Sequence, residues 1–224
     1  MHIPDGLLNP TNPADLSVLI ITWAVTIPFL IFAWKKTKDN YSHTIASTLA
    51  VMSAMVFVVQ MLNFPVAGGT SVHIVGGTLL AVVLGPFAGM LSMTIVLLMQ
   101  AFFFADGGLL AFGANALNMA IIGSLSFYIV KFLNGRTGGK RRMAASVFIA
   151  TWIAGITTAL ATALEIGVSQ AFSGAGGITL TVPTMLFVYS IAGLVEAVFT
   201  TALVTSLTNL QPALIAGMKF LRGS

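Results

Sequence analysis

Apolar residues run along this chain in long blocks, and polar residues collect between them. A helix needs about 20 apolar residues to cross the hydrocarbon core of a bilayer. Leu16 to Trp34 is the first such block, with Pro28 inside it as a candidate kink, and Thr44 to Leu62 is the second. Val72 to Phe104 is 33 residues long, too long for one ordinary span, and Gly85-Pro86 sits in its middle. Phe112 to Phe132, Ala144 to Ser169 and Pro183 to Leu207 complete the series. Splitting the long block at Gly85-Pro86 predicts an all-α integral membrane protein, a seven-transmembrane-helix bundle forming one membrane domain over residues 1–224.

The basic residues decide whether that split is right. They fall in three places only: Lys35, Lys36 and Lys38 after the first block; Lys131, Arg136, Lys140, Arg141 and Arg142 after the fifth span; Lys219 and Arg222 after the last. Cytoplasmic loops carry the excess of Lys and Arg. Seven spans with the N-terminus outside place all ten basic residues, and the C-terminus, on the cytoplasmic side. Without the split, the five-charge loop lies outside. The outer side then receives 1–14, 63–73, 105–112 and 170–182, which hold His2, Asp5, His73, Asp106 and several glycine pairs. His43 falls on the inner side.

Composition agrees. Hydrophobic residues make up 57% and charged residues 7%, against about 25% charged in soluble domains, and mean hydropathy is +0.99. A soluble enzyme, a nucleic-acid-binding domain and a disordered chain are excluded. The net charge of +4 is explained by topology rather than by a nucleic-acid partner. The chain has no cysteine, so a metal site has to use nitrogen, oxygen or methionine sulfur. Residues 1–14 lack the basic and apolar regions of a secretory leader. Met1 is therefore expected to be the mature N-terminus, retained because His2 is too large for aminopeptidase trimming.

That start is itself a chelator. The Met1 α-amine and the His2 amide nitrogen, once deprotonated, close a five-membered ring with a metal, and the amide with His2 Nδ1 closes a six-membered one. Three nitrogens in one plane, completed by a fourth, suit Ni(II) or Cu(II). Pro4-Asp5-Gly6 supplies a turn able to fold the segment back into the protein. His73, on the same side and flanked by glycines, can provide the fourth nitrogen, whereas His43 is on the wrong side. The bland alternatives are an incidental histidine at position two and a His73 that serves only as an interfacial hydrogen-bonder.

Three stretches now combine: MHIPDG at the start, NFPVAGGTSVHIVGG around His73, and FFADGGLLAFGANALNMAIIG in the middle. Together, over the whole chain, they resemble the metal-binding membrane subunit of nickel and cobalt energy-coupling-factor importers (the NikM/CbiM family). The resemblance implies a seven-helix bundle with residues 1–14 inserted into the outward cavity. It implies metal ligation by the Met1 amine, the His2 amide and imidazole, and the His73 imidazole. It also implies an ATP-driven importer of prokaryotic plasma membranes. The partners would be a transmembrane coupling subunit, two ABC-type ATPase subunits and a small auxiliary membrane subunit. Pro4-Asp5, the Ser71-Val72-His73-Ile74 context and Asp106 before the paired glycines resemble nickel-type rather than cobalt-type members. Ni(II) is the expected cargo and Co(II) the alternative. A planar all-nitrogen site also discriminates against Zn(II), which prefers tetrahedral surroundings.

Other polar residues are candidates for supporting roles. Asn115 and Asn118 lie three apart, on one face of an α-helix, where they can orient the histidines or the outer loops or simply cap and pack. Asp106 joins them as a candidate support. Glu165 and Glu196 sit within predicted spans, where a charged carboxylate costs about 2.5–3.5 kcal/mol; Glu196 is expected to face inward, bond a neighbouring helix or fix the outer loops. Ala46, Ala50 and Ala54 form a small-residue stripe that lets helices approach closely, read either as the coupling-subunit contact or as packing within the bundle, and Gly85-x-x-x-Gly89 is open in the same way. Gly135–Lys140 lacks phosphate-loop spacing, so nucleotide hydrolysis is expected in a partner and this chain is not expected to be an enzyme. An intramembrane metal hydrolase using Glu165, Glu196 and a histidine, or a cation channel, are the rival classes. The first lacks a motif, and the second lacks polar rings in the inner halves of the spans.

Overall fold

The structure is a computed structural model and describes residues 1–38, 43–62, 64–66, 70–135 and 138–211. Arg136, Lys219 and Arg222 lie outside the described residues. An irregular N-terminal segment leads into α1 (Pro13–Lys38), followed by α2 (His43–Gln60) and a short antiparallel pair, β1 (Phe64–Val66) with β2 (Thr70–Val72), in which Phe64 pairs with Val72. Next come α3 (Gly77–Leu84), α4 (Pro86–Phe104), then α5 (Phe112–Asn115), a π-helical segment (Ala116–Ile122) and α6 (Gly123–Asn134), which run on as one rod. The chain ends with α7 (Lys140–Gly167), the single turn α8 (Gln170–Ser173) and α9 (Ile178–Leu210).

Among the described residues, five helices are long and apolar enough to cross a membrane: Pro13–Lys38, Pro86–Phe104, Phe112–Asn134, Lys140–Gly167 and Ile178–Leu210. The second predicted span is present as a shorter apolar stretch, Ala46–Gln60. The third departs most from expectation. The break falls at Gly85, as the sequence suggests, but the helix before it has only eight residues, about 12 Å at 1.5 Å per residue. A bilayer core is about 30 Å thick. The rest of this segment, His73 to Gly76, is irregular backbone. Such backbone is tolerated at membrane depth only where protein satisfies its polar groups, and every residue of α3 is buried.

The bundle buries α3 at its centre. Leu79, Leu80, Val82 and Val83 meet Met90, Met93 and Leu97 of α4 and Met119 and Phe127 of the α5–α6 rod in one apolar core. Gly89 lies against Ala81: a Cβ there would come within 2.7 Å of the Ala81 backbone, so the Gly85-x-x-x-Gly89 pair is spent on internal packing. α7 and α9 pack along their length, and Trp152 Nε1 donates to the Ser190 carbonyl. Outward faces are apolar; Ile21 of α1 and Phe187 of α9 are 61% and 69% exposed, as residues bathed in lipid are. Ala50 and Ala54 lie on an exposed face of α2, with Ala46 half-buried.

Candidate metal centre

The N-terminal segment is built into the bundle. Pro4 to Leu7 form a turn closed by the Leu7 N–H on the Pro4 carbonyl, and Gly6 sits at φ +92°, the conformation that glycine adopts without strain. Ile3 and Leu8, on either side of the turn, are each 1% exposed and pack with Leu19, Ala111, Ala114, Ile166 and Phe172 in a second apolar cluster. Burying each contributes about 1.5–3 kcal/mol.

Polar contacts then set the register. Asn115 holds Ile3 as a strand neighbour would: the Ile3 N–H donates to Oδ1 at 2.8 Å, and Nδ2 donates to the Ile3 carbonyl at 3.0 Å. Gly108 N–H donates to the same carbonyl. Asp5 accepts the N–H of Leu109 at 3.0 Å and of Leu110 at 3.1 Å. The loop has to pass very close for this; a Cβ on Gly108 would collide with the Asp5 carboxylate and backbone. Asp15, fully buried, accepts the N–H of Asn9 and of Gln170, each at 3.0 Å, and so ties the segment to α1 and α8.

This scaffold delivers Met1 and His2 to the interior, 1% and 5% exposed. The His2 imidazole stacks on that of His73, with centroids 4.5 Å apart and planes 20° from parallel. His2 Nδ1 meets Asp106 Oδ1 at 2.9 Å, and His73 Nδ1 meets the carbonyl of Ile74 at 2.9 Å. A carbonyl only accepts, so His73 Nδ1 carries its proton and Nε2 presents the lone pair. Among the described residues, Nε2 of His2 and of His73 are both buried with no hydrogen-bond partner. Buried polar atoms are seldom left so. Burial pushes the Met1 α-amine down from the usual 8.0 to about 5, with Asp106 opposing. Burial also lowers His2 against the pull of its Asp106 hydrogen bond. Both groups are therefore neutral near pH 7, the form in which nitrogen ligates.

No cluster of three His, Cys, Asp or Glu side chains suitable for a metal occurs among the described residues. The other nitrogens buried beside the histidines are the Met1 α-amine and the His2 main chain. An apolar cavity of about 480 Å³ also borders His73, between the end of α2 (Val59, Leu62) and the middle of α9 (Val188, Ile191, Val195). Its wall offers no second polar side chain, so a centre using His73 lies on the His2 side.

The other candidates divide. Asp106 touches His2, and Asn115 holds the backbone of the adjoining Ile3. Asn118 donates to Thr162 Oγ1 at 3.1 Å and to Glu165 Oε2 at 2.6 Å on α7, and its Oδ1 is buried without a hydrogen-bond partner among the described residues. The three-residue spacing assumed 3.6 residues per turn, whereas this stretch is π-helical, and the wider i→i+5 turn swings Asn118 away from the Asn115 face. Glu196 accepts the N–H of Val75 at 3.0 Å and of Gly76 at 2.8 Å, two residues beyond His73. Gln60, which sequence reasoning passed over, donates to the Val75 carbonyl; its only signal was a lone amide at the end of an apolar block. The seven described basic residues, Lys35, Lys36, Lys38, Lys131, Lys140, Arg141 and Arg142, sit at or beside the ends of α1, α6 and α7 remote from the histidines.

A lipid-facing helical bundle with two stacked, buried histidines at one end defines a multi-pass membrane protein. Residues 2–214 match the family described as "Cobalt uptake substrate-specific transmembrane region" (CbiM), and the chain belongs to this family, whose matched relatives are prokaryotic. It is 36% identical over 216 residues to the "Putative fused nickel transport protein NikMN" of Archaeoglobus fulgidus, covering 96% of this chain and 68% of that protein. It is also 36% identical over 228 residues to the "Fused nickel transport protein NikMN" of Rhodobacter capsulatus, covering 96% and 64%. The chain thus spans about two thirds of these fused relatives. A crystal structure described as that of a transition metal transporter superposes with a TM-score of 0.83 at 34% identity, covering 100% of both chains.

Proposed function

We propose that this chain is the substrate-binding membrane component of a transition-metal importer, with Ni(II) as its cargo and Co(II) as the second candidate. The observation that carries this reading is the buried stack of His2 on His73, with the His73 Nε2 buried and unpartnered among the described residues, beside a Met1 α-amine that burial keeps neutral. Met1 amine, His2 amide, His2 Nδ1 and His73 Nε2 supply four nitrogens for a planar ion. The names of the fused relatives support nickel; the family description supports cobalt.

The two rings lie in nearly parallel planes. Each lone pair lies in its own ring plane, and a metal–nitrogen bond is about 2 Å, so one ion cannot lie in both planes as they stand. One ring has to turn on loading. The chelate needs His2 Nδ1, the atom that meets Asp106, so loading exchanges that hydrogen bond for the metal. His73 stays where the Ile74 carbonyl holds it.

The centre faces outward and the basic ends face the cytoplasm, in keeping with the positive-inside rule. Metal captured outside is carried across by partners: a transmembrane coupling subunit docking on the exposed Ala46, Ala50 and Ala54 face, two ABC-type ATPase subunits, and a small auxiliary membrane subunit. The chain itself catalyses no reaction in this reading. Metal content of three purified forms tests it: native, one with Ala inserted between Met1 and His2, and one fused at its N-terminus. Only the native form retains nickel. Stoichiometric nickel in all three would exclude the N-terminal chelate and leave Asp106, Glu165 and His73 as the next site to consider.

A further inference from the structure

His73 and the three residues after it are irregular backbone that ought to be costly in a bundle interior, and two side chains from different helices meet their polar groups. Glu196 of α9, 4% exposed, takes the N–H of Val75 on Oε2 and of Gly76 on Oε1. Gln60 of α2, fully buried, gives Nε2 to the Val75 carbonyl at 2.5 Å and lies 3.5 Å from Met93 Sδ. Both main-chain groups of Val75 are therefore held by side chains. Gly76 adopts φ +79° as the N-cap of α3, with Val56 packed where a Cβ would go. The path from clamp to ligand is short and covalent: Glu196 and Gln60 fix Val75, Val75 fixes the Ile74 carbonyl, and that carbonyl takes the Nδ1 proton of His73 and aims Nε2.

We infer that Glu196 and Gln60 are positioning residues for His73, which hold its Nε2 in one direction and thereby favour an ion with planar coordination over one that asks for tetrahedral or octahedral surroundings. This inference rests on the Ni(II) reading above. Planar four-nitrogen binding demands that the last nitrogen enter the plane set by Met1 and His2. A His73 free to shift accommodates other geometries instead, so the clamp determines selectivity as well as affinity.

The test uses the purified full-length protein as wild type, Glu196→Gln and Gln60→Met. Glu196→Gln keeps the volume but sets an NH2 against a main-chain N–H; Gln60→Met removes one hydrogen bond at an apolar helix end. Each protein is titrated with Ni(II) and with Co(II), and the visible band of low-spin planar Ni(II) is recorded on the loaded protein. Ni(II) affinity is expected to fall about 10–100-fold, the range seen when groups supporting a ligand are lost. Co(II) affinity should fall less, and the planar band should weaken or shift. If the variants load less metal but the loaded protein keeps the wild-type band and the wild-type Ni(II):Co(II) ratio, the clamp is merely structural and the inference is overturned. Should Glu196→Gln fail to fold, Gln60→Met decides alone. A wild type without a planar band defeats the Ni(II) reading itself, before any variant is compared.

Discussion

The two halves of the centre are held in opposite ways. His73 sits on backbone gripped from α2, α9 and its own neighbour Ile74, deep in the helical bundle. His2 sits on a segment laid over the bundle from outside, anchored by Ile3, Leu8, Asp5 and Asn115. One half is part of the core; the other is docked on it by a few apolar contacts and a handful of hydrogen bonds. On the reading proposed above, one ligand is fixed and one docked, so the site can open without disturbing the fold, and the docked half is the half that brings the main-chain donors.

The sharpest test of that contrast removes one ligand from each half. His73→Ala should abolish high-affinity Ni(II) binding by calorimetry while leaving the melting temperature nearly unchanged, because the ring stacks on His2 and the clamp acts on the residues after it. His43→Ala, at the start of α2 and the far end of the bundle, should bind as wild type. Equal losses for both would break the assignment.

Loosening the docked half should cost less. Asp5→Ala removes the acceptor for two loop N–H groups and should lower Ni(II) affinity about 10–100-fold while leaving the core intact. Protease cleavage near residue 8 should accelerate in this variant and not in Gln60→Met. Uniform protease resistance in both would mean that the segment is as fixed as the core.

Acid should act on the docked half in the same direction. The Met1 amine is pushed down by burial, from 8.0 to about 5, so the undocked state binds the extra proton. Docking is then at full strength above pH 8, weakens as pH falls from 8 towards 5, and loses nothing more from this group below 5. Hydrogen exchange at Ile3 and Gly108, followed from pH 8 to 5 and corrected for the intrinsic rate, should show this loss, and exchange at α3 should not. The smallest effect is expected from Asn118→Ala, which gives up contacts to Thr162 and Glu165. Ni(II) affinity should change less than about tenfold, and a larger loss would join Asn118 to the centre after all.

Much of this was legible in the sequence because it depends on type and order. Apolar block length located the helices, and the Gly85-Pro86 break fell where α3 gives way to α4. A histidine beside an α-amine is a chelator in any fold, and MHIPDG with the glycine-flanked His73 pointed to the family. What could not be read depends on local geometry. Nothing in Val72–Leu84 shows that about a third of it is irregular, because an apolar run looks the same whether its backbone bonds are made within it or by Glu196 and Gln60. The π segment was invisible for the same reason: its side chains are ordinary, and only its turn separates Asn118 from Asn115. The stacking of His2 on His73 and the Asp106 contact belong to tertiary packing, which spacing alone does not carry.

The clamp on His73 also orders the making of the protein. A segment with only eight helical residues gives the insertion machinery little to recognise as a span, and it enters the bilayer with two donors, on Val75 and Gly76, awaiting an acceptor. That acceptor, Glu196, is synthesised 120 residues after Gly76, in the last helix among the described residues. Until α9 arrives, those two donors lack the partner that holds them in the finished fold. On the reading proposed above, a nascent chain is expected to hold the ion weakly before α9 is in place, and a product truncated before α9 should bind it less tightly than the full chain.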